Sequence, residues 1–402
     1  MRATIWTTVR EAMAHGGDTW GGRGGWGGLH RSLPWLEAEE GRISHDQTYI
    51  SAAGALASCY PVPHTAVHRT YATWDILCGP PVTELILQTP QPQRESAEAE
   101  LASLRSHLPA DATDTLAVVT PGCVFPGVTL PSEVSIDSLD TLVGAVEAQA
   151  QDLGLPVVEF GHLRDESPAD RALHKALRSR GYSAVTVGAD AVLDTSPYAD
   201  LDAYFSAFRS HRRKVMRKER RLFEGAHATV RVAGPEGLTD DLAALQLARY
   251  RRYGQQADTD AVQDRFVRAA RIPGLKVLRA DAEEHSRSAP AGPLGFIAFY
   301  EDHRTHRILP RLGAFSGHGA AYFNIAYYEL IAYATRVGNM RIHYGDSTYL
   351  AKTIRGCGLT RLTSYFRATD ESLHHWLSRA GRLRTALEEQ QLARAAAEGK
   401  IR

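Results

Sequence analysis

The chain has 402 residues, which is longer than one hydrophobic core usually supports and therefore predicts two domains of ordinary size. Its 46 lysines and arginines balance 46 aspartates and glutamates, so no overall field would attract nucleic acid or an anionic membrane, and any such attraction must be local. The hydrophobic fraction of 44% and the charged fraction of 23% are typical of a globular protein.

The cysteines and the N-terminal segment bear on the compartment of the protein. The four cysteines are Cys59, Cys78, Cys123 and Cys357. They form no C-x-x-C pair, and no His cluster has metal-ligand spacing, so the sequence predicts reduced thiols and no metal site. Arg10 interrupts the N-terminal segment where a secretory peptide would be apolar, and no segment offers the ~20 apolar residues of a membrane span. We therefore expect a cytoplasmic protein without a membrane span.

A glycine-rich segment near the N-terminus predicts a mobile loop. Six glycines lie between Trp20 and Leu36, but no phosphate-binding glycine pattern follows a strand, so the loop does not indicate a nucleotide site. The sequence WGGLHRSLPW within it combines aromatic rings with charge. These side chains would either line an acceptor pocket or bury two tryptophans in a core. The candidates for acceptor binding are Trp26, His30, Arg31 and Trp35.

The first half of the chain alternates predicted helices and strands. Short runs of β-branched and aromatic residues broken by prolines predict strands or extended loops over residues 49–87. Apolar periodicity and terminating glycines then predict three helices, over 96–108, 138–153 and 170–180. The strands predicted in the same region cover 116–120, 155–160 and 182–187. This alternation predicts an α/β layer.

The second half has the order of a single mixed sheet. Its predicted helices cover 240–253, 259–270, 320–337 and 348–355, and its predicted strands cover 274–280, 294–300, 307–315, 340–344 and 361–367. A turn-rich hairpin loop is predicted over 282–293. A terminal helix is predicted over 371–396, with a break near Gly381 because glycine disfavours a helix interior. We predict a mixed α/β fold with domains 1–200 and 201–368 and a helical tail 369–402.

Three motifs of the second half resemble those of the GNAT superfamily. They are the basic segment HRRKVMRKERRL, the turn FSGHGA before the long helix, and the segment GDSTYLAKTIRG, in which Lys352 precedes Gly356. In this order over 201–367 they resemble the two-domain branch that contains Fem-type peptidyltransferases and peptidoglycan biosynthesis/recognition acyltransferase-like proteins. The resemblance implies tandem GNAT-like domains joined by a basic helix, transfer of an acyl group to an amine, and no cofactor beyond the donor substrate.

The turn before the long helix departs from the acetyl-CoA pattern. Acetyl-CoA enzymes of the superfamily commonly show [R/Q]-x-x-G-x-[G/A] there, because N–H groups at a helix N-terminus hold the pyrophosphate. Ala314 occupies the basic or amide position in this chain, whereas Gly317 and Gly319 are retained. The departure favours aminoacyl-tRNA, the donor that the Fem-type resemblance implies. Acyl-CoA is the alternative donor, with Arg311 or His318 supplying the missing contact.

Acyl transfer to an amine requires a proton acceptor and a positively charged or hydrogen-bonding group near the carbonyl oxygen. The resemblance assigns Lys352 to the carbonyl or the 3′-terminal phosphate of the donor, and the alternative is a surface lysine. Asp346 follows the strand predicted over 340–344, so it would accept a proton, hold an ammonium group or cap the next helix. Tyr344, at the end of that strand, is the third catalytic candidate, whereas His343 is expected to be structural.

The basic segment predicts an amphipathic helix with an anion against its outer face. Eight arginines or lysines and one glutamate lie between Arg209 and Arg221. A helix starting at Leu201 would dock an apolar stripe on a core, formed by Tyr204, Phe208, His211, Val215 and Leu222. Like charges four residues apart repel by about a few tenths of a kcal/mol per pair, so an anion would stabilise the helix.

Two kinds of anion fit this helix, and they lead to different partners. A tRNA backbone is one, and carboxylates of the protein such as Glu388 and Glu389 are the other. The candidates for anion binding are Arg213, Lys214, Arg217, Lys218 and Arg221. No DNA partner is predicted.

On the long helix, a stripe of tyrosines (Tyr322, Tyr327, Tyr328 and Tyr333) is expected to be core, and Glu329 to be exposed.

Three functions follow from these patterns. The leading hypothesis is an enzyme that moves an aminoacyl group from aminoacyl-tRNA to the amine of a cell-wall precursor or a small metabolite. The second keeps the fold and uses an acyl-CoA donor. The third is a non-catalytic module that binds a glycan or a peptide.

Overall fold

The computed structural model describes residues 3–16, 28–52, 54–66, 71–131, 134–283, 292–318, 320–338 and 340–399. Its strands are β1 (Thr4–Trp6), β2 (Thr48–Ala52), β3 (Ala55–Val62), β4 (Thr115–Val118), β5 (Val128–Thr129), β6 (Val157–Leu163), β7 (Ser183–Asp194), β8 (Ala228–Ala233), β9 (Leu275–Ala282), β10 (Gly292–Asp302), β11 (Arg307–Phe315), β12 (Arg341–His343) and β13 (Gly358–Ala368).

Helices connect most of these strands. The α-helices are Val9–Gly16, Leu33–Glu39, Thr73–Cys78, Pro80–Leu87, Gln93–His107, Ile136–Asp152, Pro168–Ser179, Leu201–Ser206, Ser210–Glu224, Asp240–Arg252, Thr259–Ala270, Ala321–Phe323, Leu330–Arg336, Tyr349–Thr353 and Glu371–Glu398. Short 3-10 turns cover Leu29–Arg31, Ala110–Thr113 and Pro235–Gly237, and a π-helical segment covers Asn324–Glu329. None of the helices within the described ranges has the length and apolar composition that crossing a bilayer requires.

The chain divides into two compact units. Unit 1 comprises Met1–Asp190, Gly345–Leu350 and Leu359–Glu398, and unit 2 comprises Ala191–Tyr344, Ala351–Gly358 and Gly399–Arg402. This division differs from the predicted domains 1–200 and 201–368 and from the separate tail 369–402. The C-terminal helix belongs to unit 1 because Leu377, Ala380 and Leu387 are buried in the same core as Val185.

Unit 1 is built on a mixed sheet with helices packed against it. Its strand order is β1-β2-β3-β4-β6-β13-β7; β4 and β6 are parallel, and the pairs β1/β2, β2/β3, β3/β4 and β6/β13 are antiparallel. Successive residues of β6 point to opposite faces. Val158 therefore joins the core beneath helix Ile136–Asp152, and Val157 joins the one beneath the C-terminal helix.

The strands of unit 2 also pair in both parallel and antiparallel directions. The last residues of β7 pair antiparallel with β12, β12 pairs parallel with β11, and β11, β10, β9 and β8 follow as an antiparallel meander. The strand–helix order predicted for 274–367 is confirmed, and helix Thr259–Ala270 and strand Arg307–Phe315 have the predicted ends. Most of the predicted loop 282–293 lies outside the described residues. The predicted mixed α/β fold with a C-terminal helix is confirmed.

One proline-based expectation differs from the structure. Residues 49–87 contain β2 and β3 as predicted, but helices Thr73–Cys78 and Pro80–Leu87 follow where strands or extended loops were expected. The proline pair Pro80-Pro81 opens the second helix. Proline is favourable in the first helical turn, because the N–H group that it lacks would have no intrahelical partner there.

The C-terminal helix is continuous through Gly381, so the predicted break is wrong. Helix Glu371–Glu398 passes Gly381 without interruption, and Gly381 is buried. A Cβ atom at this position would lie 2.5 Å from Cγ2 of Val185 on β7. The glycine is therefore explained by close packing of the helix on the sheet and not by a helix end.

We expect Gly381→Ala to lower the free energy of unfolding by about 1–3 kcal/mol, because the added methyl group overpacks the contact with Val185. Urea denaturation would measure this loss. The matched control is Gly144→Ala in helix Ile136–Asp152, where the nearest atom to a new Cβ is 3.5 Å away on the Arg180 side chain. Helix propensity should make that variant more stable than the wild type. Equal stabilities for both variants would contradict the packing explanation.

Candidate active site

The basic helix, Ser210–Glu224, buries a face different from the predicted one. Met216 and Phe223 are buried, whereas Val215 and Leu222 are 41% and 52% exposed. Glu219 lies between the two buried residues at helical spacing and is half-buried. The predicted apolar stripe is therefore confirmed for Tyr204 and Phe208, which are buried, and wrong for the exposed residues His211, Val215 and Leu222. The prediction assumed one continuous helix from Leu201, and that assumption decided which residues share a face. The chain instead forms a separate helix, Leu201–Ser206, before the basic helix begins.

Glu219 forms the centre of an ionic cluster in unit 2. Its carboxylate accepts hydrogen bonds from Arg355, at 3.1 and 3.2 Å, and from the hydroxyl of Tyr328. The Arg355 guanidinium lies 3.8 Å from the ring centroid of Phe323 and 5.1 Å from that of Tyr327. The cation is thus held between a carboxylate and aromatic rings, an arrangement that suits the planar guanidinium better than a lysine ammonium.

The cluster also fixes the segment that carries Lys352. The Tyr204 hydroxyl donates to the carbonyl of Arg355 (2.8 Å), and Arg212 donates to the carbonyl of Ile354 (3.0 Å). Lys352 itself is 5% exposed, and its ammonium donates to the carbonyl of Tyr344 at 2.9 Å. The alternative of a surface lysine is excluded by this burial. Two of the predicted catalytic residues, Lys352 and Tyr344, are therefore in direct contact.

The phenol of Tyr344 lies in an aromatic environment. Its ring stacks on Tyr327, with centroids 4.8 Å apart. Its hydroxyl is buried and has no hydrogen-bond partner among the described residues. Burial raises the pKa of Tyr344 well above its ordinary value, and the neighbouring Cys357 and Tyr327 act in the same direction. The phenol is therefore protonated at neutral pH and can act as a hydrogen-bond donor.

The long helix predicted over 320–337 contains a π-helical segment, Asn324–Glu329. Such segments are often found at functional sites because they shift the direction of the side chains that follow. Asn324 is fully buried and donates to the carbonyl of Glu219 at 3.0 Å. Tyr327 and Tyr328, adjacent in sequence, are both buried.

The other side chains of the long helix divide between core and surface. Tyr333 is buried with Tyr327 and Tyr328, which confirms the core interpretation for three of the four tyrosines, whereas Tyr322 is 37% exposed. Glu329 forms an ion pair with Arg220 and its side chain is 16% exposed, so its predicted exposure is wrong. Within unit 2, rings of Phe315, Tyr322, Tyr327 and Tyr344 form a row of successive contacts.

The turn between β11 and the long helix uses some of its N–H groups internally. The N–H of His318 donates to the Ser316 hydroxyl (3.3 Å), and the N–H of Ala321 donates to the His318 carbonyl (2.9 Å). Gly317 has φ +87°, and both Gly317 and His318 are exposed. Arg311 is half-buried on β11. Gly319 lies outside the described residues.

The outer face of the basic helix is a strongly positive surface. Its exposed cations are Lys214, Arg217, Lys218 and Arg221, which we call the basic face. No salt bridge joins these four residues to a carboxylate in the described part of the chain. Arg213 is half-exposed and reaches the carbonyl of Ser206 (3.5 Å).

Arg220 of the same helix lies outside the basic face, because it is paired with Glu224 and Glu329. One other expectation about the basic helix is corrected. The carboxylates suggested from the tail have arginine partners within unit 1, since Glu388 pairs with Arg384 and Glu389 with Arg361.

Asp346 lies in unit 1, on an exposed turn of unusual backbone conformation. Gly345, Ser347 and Thr348 all have left-handed φ angles, of 72°, 65° and 46°. Such angles are unfavourable for a β-branched residue such as Thr348, and they are found most often at functional sites. The N–H of Gly345 donates to the Asp190 carboxylate at 2.9 Å.

A buried ion pair supports this turn. Asp190 is fully buried and pairs with Arg164, whose guanidinium lies 2.9 Å from the carboxylate and 4.0 Å from the ring centroid of Phe125. His162, two residues before Arg164, also has a left-handed φ of 58°. Burial lowers the pKa of His162 to about 4, with the charge of Asp346 acting against this shift and that of Arg164 adding to it.

The candidates for acceptor binding lie in the core of unit 1 or outside the described residues. His30 is 2% exposed and stacks on Phe125, and Trp35 is 1% exposed and donates to the carbonyl of Pro121. Arg31 is half-buried. Trp26 lies outside the described residues. Burial of His30 and Trp35 agrees with the alternative in which the loop contributes to the core, and the assignment of these residues to acceptor binding stays a prediction.

Sequence reasoning missed Glu219, Arg355 and His162. Glu219 has a signal in the sequence, because a single acidic residue among eight cations falls on the same helical face as Met216 and Phe223. Arg355 and His162 have none, since their partners are distant in the chain. Among the described residues, no group of three or more His, Cys, Asp or Glu side chains is arranged to hold a metal ion.

The chain is similar to a known family and to several solved structures. The family model FemAB-like, described as peptidoglycan biosynthesis/recognition, matches residues 138–399. The crystal structure of FemX is similar at 11% identity with a TM-score of 0.56, over 94% of this chain and 100% of that one. L-PGS from Bacillus licheniformis gives 15% identity and a TM-score of 0.45 over 74% of this chain and 98% of that one. No curated protein matches.

The family match covers well over half of the chain, and the likeness to FemX concerns the fold of nearly all of it. The resemblance drawn from the three motifs of the second half is thereby confirmed. The chain belongs to the FemAB-like family, which is described as peptidoglycan biosynthesis/recognition.

Proposed function

We propose that the protein transfers an aminoacyl group from aminoacyl-tRNA to a primary amine, with the reacting carbonyl held in unit 2 beside Tyr344 and Lys352. The observation that carries this proposal is the buried Tyr344 hydroxyl, which has no partner among the described residues and stays protonated. Buried polar groups are nearly always hydrogen-bonded, so a protonated phenol without a partner is suited to a ligand oxygen.

The reaction needs no covalent enzyme intermediate. The neutral amine attacks the ester carbonyl, a C–N bond forms, the C–O bond to the tRNA ribose breaks, and the ribose oxygen takes up the proton that the amine loses. Negative charge develops on the carbonyl oxygen during the attack. A fixed hydrogen-bond donor in a site that excludes water stabilises that charge strongly. Tyr344 is the proposed donor, and the nearby Lys352 ammonium adds positive potential.

The tRNA donor is favoured over acyl-CoA by two features of unit 2. The N–H groups of His318 and Ala321 are already used within the turn that would hold a CoA pyrophosphate. The basic face also offers four exposed cations on one helix, and such a group of cations suits a phosphate backbone. An acyl-CoA donor remains the second candidate, because Arg311 lies on the strand leading into that turn.

The remaining assignments follow the same proposal. Asp346 is the proposed proton acceptor or ammonium ligand, and the acceptor is an amine of a small metabolite or a peptidoglycan precursor. The proposal requires no cofactor. We also propose that each unit corresponds to a GNAT-like domain, which is the tandem arrangement that the family resemblance implies.

The donor can be identified by mass spectrometry of products formed from a mixed aminoacyl-tRNA pool or an acyl-CoA panel, each offered with cell extract. We expect an amide product whose added mass is an amino-acid residue, and only in the tRNA arm. Ribonuclease treatment of the pool should abolish it. A product formed only from acyl-CoA would overturn the tRNA assignment, and no product from either donor would favour the binding module.

Tyr344→Phe should lower kcat by about 10²-fold, as expected when one hydrogen-bond donor to the developing oxyanion is lost. Thermal stability should not fall, because the lost hydroxyl has no partner in the described structure and its removal relieves a desolvation cost. Steady-state kinetics and a melting curve on the same preparation measure both quantities.

Two companions complete the Tyr344 test. Lys352→Met keeps the apolar stem of the side chain and should also lower kcat, whereas Lys276→Ala, on β9 of the same unit, should leave kcat unchanged. An unchanged kcat for Tyr344→Phe in a folded protein would remove the phenol from the mechanism.

Replacing Lys214, Arg217 and Lys218 by alanine should weaken tRNA binding and reduce its dependence on salt. Binding to tRNA releases counterions from the phosphates that the protein contacts, and the variant makes fewer such contacts. The slope of log K against log salt should therefore become shallower by about two to three. Filter binding across a salt series gives both quantities. The matched control removes three exposed arginines elsewhere in unit 2, namely Arg251, Arg252 and Arg271. If both triple variants changed the slope equally, net charge and not the basic face would explain the binding.

A further inference from the structure

The basic helix, Ser210–Glu224, exposes two large apolar side chains that the proposed transfer does not use. Val215 is 41% exposed and Leu222 is 52% exposed. They are seven residues apart, so they lie on the same side of the helix, two turns from one another. We call Val215 and Leu222 the apolar pair. The other apolar residues of this helix, Met216 and Phe223, are buried, so the helix is already docked on unit 2 by a different side.

The apolar pair lies directly beside the basic face. Lys218 follows Val215 by three residues and precedes Leu222 by four, so these three side chains form one row along the helix. The adjacent row is one residue earlier at each point and contains only exposed cations, namely Lys214, Arg217 and Arg221. The outer surface of the helix is therefore cationic over most of its width and apolar along one edge.

The described part of the chain supplies no carboxylate for this surface. The acidic side chains of the helix itself, Glu219 and Glu224, are paired with Arg355 and Arg220 and not with the basic face. Two exposed apolar side chains in line with a lysine and next to a row of cations suggest a ligand that is both anionic and apolar.

The chemistry of this surface distinguishes between two polyanions. A phosphate backbone would compensate the cations, but it offers no apolar surface to the apolar pair. An anionic lipid bilayer offers both, because its headgroups carry the negative charge and its acyl chains begin directly beneath them. The combination of exposed cations with exposed apolar residues on one helix therefore favours a bilayer.

We infer that the basic helix attaches unit 2 to the surface of an anionic lipid bilayer. The four cations of the basic face contact the headgroups, and the apolar pair enters the boundary between headgroups and acyl chains. The helix lies in the plane of the membrane and does not cross it. Its 15 residues extend for only about 22 Å, whereas the hydrocarbon core is about 30 Å thick.

Attachment to a bilayer goes beyond the proposed function and does not depend on it. The basic face is also the proposed surface for tRNA, so a bilayer and a tRNA would compete for the same four cations. Binding to the bilayer would then lower the amount of protein that is able to accept an aminoacyl-tRNA.

Co-sedimentation of the full-length protein with lipid vesicles tests the attachment. Vesicles of phosphatidylserine and phosphatidylcholine in equal parts should bind the protein, and vesicles of phosphatidylcholine alone should not. Replacing Lys214, Arg217 and Lys218 by alanine should weaken binding to the anionic vesicles by about 100-fold, because three attractive charges are lost. No binding of the wild type to the anionic vesicles, or unchanged binding of this variant, would overturn the inference.

Val215→Gln combined with Leu222→Gln separates a bilayer from a phosphate backbone. Glutamine is a good helix former, so the variant should keep its fold, which a melting curve checks. Vesicle binding should fall by about 10-fold or more, because the apolar insertion is lost. Filter binding of tRNA should stay at the wild-type level.

The matched control is Tyr253→Gln combined with Val267→Gln, which removes two other apolar side chains of unit 2 that are 67% and 51% exposed. This control should change neither vesicle binding nor tRNA binding. An equal loss of vesicle binding in both double variants, or no loss in the variant of the apolar pair, would reject the bilayer surface. A matching loss of tRNA binding would assign the apolar pair to the tRNA interface and reject it as well.

The two proposals fail in different ways. Vesicle binding that depends on the apolar pair, in a protein that binds no tRNA, would count against the proposed function and support the bilayer surface.

Discussion

The ion pair between Glu219 and Arg355 is the interaction on which the arrangement of unit 2 depends. Glu219 connects the basic helix to the segment that carries Lys352, and it also receives Tyr328 from the long helix. A buried pair of this kind is weak evidence for stability, because desolvation offsets much of the attraction. Its contribution is positional. Removing either partner would leave an uncompensated buried charge, and it would free the segment that carries Lys352 from both the basic helix and the long helix.

The same ion pair explains why the basic helix has two different faces. On the inner side, Arg212, Glu219 and Arg220 are engaged with carbonyls and carboxylates of the protein. On the outer side, the basic face has no carboxylate partner in the described structure. One short sequence therefore supplies both a structural ionic contact and a surface available to a polyanion.

The sequence predicts the regular elements of this protein well, because each depends on local periodicity and terminating residues. It fails where distant contacts decide the outcome. From the sequence alone, Gly381 indicates a helix break, whereas the structure shows that it allows close packing on Val185. The apolar residues Val215 and Leu222 likewise indicate a buried stripe, but they are exposed and the inner face carries Glu219. The site shows the same division: Lys352 and Tyr344 follow from motif and strand position, whereas His162 requires knowledge of the fold.

The buried phenol of Tyr344 has a consequence for the way in which the reaction responds to acidity. Its proton is retained across the range in which an ordinary amine gains and loses its own proton, because burial opposes the phenolate. The Tyr344 hydroxyl therefore stays protonated, as the hydrogen-bond donor to the carbonyl oxygen, while the amine nucleophile changes its protonation state. An alkaline rise in rate would then report the basicity of the acceptor, so that the pH profile becomes a means of recognising which amine the protein uses.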